Sequence, residues 1–136
     1  MNPRSHRSFQ YVTWQQFMLL LILSSGLIGC GGNAHAVKPD VAQQTLRSAL
    51  DSWKSGQTIE SLKKGSPSIV VQDLDWSGGA KLLDYEVLDG GKPVDANLQA
   101  KVKLKLRDAK DVESEKTVSY LVGTSPVLTV FRDMFH

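Results

Sequence analysis

Cysteine is almost missing from this chain. Cys30 is the only one in 136 residues, so no disulfide can close within the chain and stability must come from packing. Histidine is nearly as scarce. His6, His35 and His136 lie toward the two ends, which leaves no interior imidazole to act as a general base. No Gly-x-Ser-x-Gly elbow accompanies the plentiful Ser and Thr, so nucleophilic catalysis has no visible machinery. No cofactor motif, internal repeat or coiled-coil heptad occurs. Long apolar runs are missing too. The longest, Phe17 to Leu23, is broken by Ser24, Ser25 and Gly26, well short of the roughly 20 residues a spanning helix needs. Charge of one sign is also lacking, since the formal net charge is only +2.

What is present begins with an address. Arg4, His6 and Arg7 precede the apolar run and no acid precedes them, as in the basic region of a secretory signal. Leu27-Ile28-Gly29 then extends the run weakly and ends at Cys30. Leu27-Ile28-Gly29-Cys30 resembles the lipobox of bacterial lipoproteins: an aliphatic residue, a tolerant position, a small residue and the cysteine. The resemblance implies a thioether lipid on Cys30, cleavage before it and acylation of the new amino group. Gly29 admits close approach of an enzyme to the backbone. In that family an Asp after the cysteine favours retention at the inner membrane; Gly31 stands there instead, which favours the outer membrane. Two other readings compete. Ala34-His35-Ala36 fits small-x-small cleavage, which would start a soluble secreted chain at Val37. A buried structural cysteine fits poorly at the edge of Gly31-Gly32-Asn33.

The division that follows is residues 1–29 as signal, 30–37 as lipidated cysteine and linker, and 38–136 as one domain. Cleavage before Cys30 removes Arg4 and Arg7 and leaves 14 basic against 14 acidic residues. A balanced domain gives no reason to expect nucleic-acid binding. The seven residues Gly31 to Val37 reach at most about 25 Å when extended, so an anchored domain stays close to its membrane. Two or three acyl chains anchor stably where one is marginal.

Within the domain, Asp40 is expected to cap a helix bearing Ala42, Leu46, Ala49, Leu50 and Trp53 on one face, with Gly56 ending it. Trp53 reads as a core anchor more than a ligand platform. Thr58 should cap a short helix from Ile59 to Lys64. Beyond Pro67 the period becomes that of strands: Ser68 to Leu74, Lys81 to Leu88, Leu98 to Arg107, Glu115 to Val122 and Val127 to Arg132. Turns at Ser77-Gly78-Gly79, Asp89 to Pro93, Asp108 to Asp111 and Gly123 to Pro126 separate them. Their hairpin length predicts antiparallel neighbours. In the second strand Leu83, Tyr85 and Val87 are expected to face the core.

The succession gives an α+β domain, an N-terminal helix on a curved antiparallel sheet of about five strands. It resembles the cystatin-like and nuclear-transport-factor-like group in topology, without a diagnostic motif. Members of that group with enzymatic activity use Asp and His inside the cone, and no residue here matches them.

Two charged patterns invite a functional reading. Asp73-Leu74-Asp75-Trp76-Ser77-Gly78 resembles the opening of an EF-hand calcium loop, with Asp84 at its twelfth position. Asp84 is shorter than the usual Glu, Lys81 brings a positive charge to the ninth position, and β-branched residues replace the incoming helix. The simpler reading is a strand end and a Gly-rich turn with solvent-facing acids. Lys101, Lys103, Lys105 and Arg107 form a basic stripe on one strand face. Asp84 and Glu86 on one side, and Glu113 and Glu115 on the other, are expected to neutralise it. The functional expectation is a membrane-anchored envelope lipoprotein whose domain binds an unidentified envelope protein or ligand without catalysis. The runner-up is a small enzyme or carrier with a pocket between helix and sheet.

Overall fold

The structure, a computed structural model, describes residues 36–135. Helix α1 runs Pro39–Lys54. It starts two residues earlier than expected: Asp40 sits inside the first turn, and Lys38 takes the capping position without a side-chain bond. Proline favours this start because the first helical N–H needs no partner. Asp40 still suits the positive end of the helix dipole, as Lys54 suits the negative end. Ala42, Thr45, Leu46, Ala49, Leu50 and Trp53 form the buried stripe. Thr45 is tolerated there because its hydroxyl donates back to the Val41 carbonyl at 2.7 Å. Gly56 leaves the helix at φ +84°.

Helix α2 spans Ile59–Lys63 and is capped by Thr58, as expected. Strand β1 is shorter than expected, Ile69–Gln72. The chain then makes a helical turn, α3, over Leu74–Ser77. Strands β2 (Lys81–Val87), β3 (Lys92–Val94), β4 (Asn97–Arg107), β5 (Glu113–Gly123) and β6 (Leu128–Asp133) follow.

The sheet order is β1-β6-β5-β4-β2, with β3 beside β4. The domain is thus α+β, a helix packed on a curled sheet. The sheet is mixed, which corrects the all-antiparallel expectation: β1 pairs with β6 in parallel, Ile69 opposite Leu128. The reason lies in α3. Residues 73–80, which include this capped turn, carry the chain from one sheet edge to the other, so β1 is left to take β6 and not β2 as its neighbour.

A second correction concerns Asp89 to Pro93. This segment bulges without reversing, and β3 continues along β4 until Asp95-Ala96 turns the chain. Asp89 Oδ1 holds the bulge by accepting from the N–H groups of Gly91 (3.0 Å) and Lys101 (3.3 Å). Gly91 has φ +77°, and a Cβ there would come within 2.8 Å of Leu98 Cγ, so only glycine fits.

The third correction is one of register. The pairing shifts between Leu82 and Asp84, so Leu82 enters the core and Leu83 is left half-buried. An extra residue in one strand has this effect because side chains alternate faces. In β4 alternation holds throughout. Leu98, Ala100, Val102, Leu104 and Leu106 of β4 are buried beneath α1 together with Tyr120, Val122 and Val130.

Candidate functional site

Two features meet at α3. The first is a cleft at the C-terminal end of α1. Trp53, on the last turn of α1, and Trp76, on α3, stack with ring centroids 5.0 Å apart and planes 3° from parallel. Each indole N–H is spent locally: Trp53 Nε1 donates to the Ala80 carbonyl at 2.8 Å and Trp76 Nε1 to the Gln57 carbonyl at 3.1 Å. The pair floors an open cleft of about 770 Å³. Leu82 and Ile59 extend its apolar lining, and Lys54, Glu60 and Lys81 stand on its rim. Because both tryptophans are almost wholly buried and stacked on each other, they leave little ring surface open to a ligand. Trp53 is thus the core anchor its position on the helix stripe predicts. The cleft lies at one end of α1, and the space between the helix and the sheet is filled by side chains.

The second feature is a charge cluster on the other side of α3. Asp73 caps that turn, its Oδ1 accepting the N–H of Trp76 at 3.0 Å. Its Oδ2 accepts from the Tyr120 hydroxyl at 2.7 Å and from Arg132 Nε at 3.0 Å. Arg132 Nη2 lies 2.8 Å from Asp75 Oδ2, and Lys116 Nζ reaches both Asp75 oxygens at 3.0 and 3.1 Å. The Arg132 guanidinium also stands 5.3 Å from the Tyr120 ring centre, within cation–π range. The Asp73 and Arg132 side chains are only 1% and 11% exposed. Burial pushes the Tyr120 phenol up, and the Asp73 charge adds to that. Partial burial works to raise the Asp75 carboxyl, but the bonds and charges of Lys116 and Arg132 outweigh it and hold the group below its ordinary value. Among the described residues no buried side-chain polar atom lacks a partner. A network so fully engaged clamps α3 to β5 and β6.

The calcium-loop resemblance is thereby accounted for. Asp73 and Asp75 are occupied by cations and a phenol, and Ser77 Oγ donates to the Asp73 carbonyl at 2.7 Å. The expected solvent exposure of these acids is wrong, since Asp73 is buried. Asp84 stands apart on β2, bonded to Lys54 at 2.7 Å. No group of three or more acidic, His or Cys residues converges on a metal position among the described residues.

The basic stripe is neutralised as expected at three of its four positions. Lys103 pairs with Glu115 at 2.9 Å, while Lys105 and Arg107 both reach Glu113, at 3.2 and 2.7 Å. On the other side Asp84 lies opposite Lys105 and Glu86 opposite Lys103. The hydrogen bond to Glu115 raises the Lys103 amine, and the bond to Arg107 lowers the Glu113 carboxyl. All these groups are exposed, so water and salt weaken the ladder.

Leu27, Ile28, Gly29 and Cys30 lie outside the described residues, as does the alternative cleavage segment at Ala34-His35. No helix among the described residues is long and apolar enough to cross a membrane. No protein-family model matches this chain, and no curated protein or solved structure matches it significantly.

Proposed function

We propose that the chain is a cell-envelope lipoprotein, anchored through lipid on Cys30 with the outer membrane favoured. Its small domain binds a protein or ligand without catalysing a reaction. The observation that carries this reading is Leu27-Ile28-Gly29-Cys30 at the end of the only apolar run, with no second cysteine anywhere. The non-catalytic half is supported by the chemistry of the charge cluster, whose acids are already engaged by Tyr120, Arg132 and Lys116. The finer fold relationship, to the cystatin-like group, is supported by the helix lying on a curled sheet. The parallel β1–β6 pair departs from it.

The cleft is the binding site of choice in this reading. It combines an apolar floor with a polar rim, the composition of ligand sites in general. That volume also favours the carrier form of the runner-up, at the end of α1 and not between helix and sheet. The anchoring claim is tested by substitution. Cys30→Ser should abolish fatty-acid labelling and move the protein from the detergent phase to the aqueous phase. Unchanged partition of the variant would sink the reading. Ligand binding has a built-in reporter. Trp53 and Trp76 are the only tryptophans after Cys30, and both line the cleft, so an occupant should shift their fluorescence.

A further inference from the structure

One contact marks the end of the domain at which the chain enters. The backbone N–H of Lys38, just before α1, donates to Thr124 Oγ1 at 3.2 Å. The entry point therefore lies beside the turn between β5 and β6, where Val127 is 53% exposed. Val41, in the first turn of α1, is 38% exposed. Gly123 pairs with Asn97, which brings the Asp95-Ala96 turn to the same end. The cleft is at the opposite end of α1, against Trp53 and Lys54. The 16 residues of α1 separate the two ends by about 24 Å.

We propose that in the Cys30-anchored protein the end bearing Lys38, Val41, Pro126 and Val127 rests on the bilayer, while the cleft opens into the aqueous compartment. The occupant of the cleft then arrives from solution and not from the supporting membrane. This orientation rests on the lipid-anchor reading above. The length of the tether decides it. Val37 packs against the core, so the free tether is Gly31 to Ala36, which spans at most about 21 Å. Turning the domain over would require those residues to run the whole length of α1, about 24 Å, which is beyond their reach. The upright arrangement requires none of that reach.

The single cysteine makes the test clean, since lipid consumes Cys30 and an added cysteine labels alone. Val127→Cys and Gln57→Cys, both at exposed positions, mark the entry end and the cleft end. Each full-length lipidated variant would carry a fluorophore and be reconstituted into phosphatidylcholine vesicles containing nitroxide-labelled lipid. Quenching should be several-fold stronger at position 127 than at 57. Equal quenching at both, with lipid on Cys30 verified by mass, would overturn the orientation and leave the anchor standing. A mass showing no lipid on Cys30 would overturn the anchor itself. Lengthening the linker with Gly and Ser should shrink the difference between the two sites. A difference that persists would overturn tether length as its cause.

Discussion

Replacing Asp73 with alanine removes the cap of α3 and leaves the buried Arg132 without its principal partner. Removing one member of a buried pair costs about 3–5 kcal/mol, far above the loss for an exposed pair. Urea unfolding of Asp73→Ala should show a loss of that size; a loss under about 1 kcal/mol would mean that the cluster behaves as a surface pair. Asp75 adds a pH dependence. Its folded carboxyl lies below the ordinary 3.8, so its contribution is present above that value and fades as pH falls through the lower, folded one. Neutralising the partner, Lys116→Gln, should flatten the acid limb of stability below pH 3.8.

The tyrosines act at the other extreme. Burial, then the 2.6 Å bond to Asp51, pushes Tyr85 up to about 12. A phenol raised in the fold favours the protonated form, so its contribution is present below pH 10 and is lost as pH rises toward 12. A spectrophotometric titration of the folded domain should show little tyrosinate at pH 10; half ionisation there would contradict these environments. The sequence held a hint of the cluster. Arg132 follows Val130 at the spacing of two that puts both on the core face of β6, and a charge there needs a partner. Which residue supplies it could not be read, because Asp73 reaches Arg132 only through the parallel pairing of β1 with β6.

Helix α1 and strand β4 were legible because each repeats one period over many residues. Ala42, Leu46, Ala49, Leu50 and Trp53 mark the helix face, and five alternating apolar residues mark the strand. Strands β1 and β2 were less so, although the short helix α2 was marked by its Thr58 cap. Four residues of β1 carry too little pattern to choose a neighbour, and one extra residue at Leu83 inverted the expected faces at the start of β2. The β4 register has a direct test. Leu104 is fully buried, so Leu104→Ala should cost about 2–5 kcal/mol. The exposed neighbour change Lys103→Ala should leave thermal unfolding nearly unmoved. Equal effects of the two substitutions would contradict the facing of this strand.

At the scale of the whole molecule, a proposed lipid anchor holds a domain with two unlike ends. In the proposed lipoprotein, the ion pairs along β4 would leave membrane association to the anchor and not to surface charge. Changing Lys101, Lys103, Lys105 and Arg107 together to Gln should lower thermal stability modestly. The same change, made in a form lacking Cys30, should leave binding to anionic vesicles unchanged. A salt-sensitive interaction that vanishes in the Gln variant would assign the stripe a docking role instead. The central claim is most directly tested by the intact mass of the N-terminal peptide of protein purified from its membrane. The account predicts a peptide beginning at Cys30 and heavier than its residues by a thioether-linked lipid and an acyl group on the new amine. A peptide beginning at Val37, with no added mass, would contradict it.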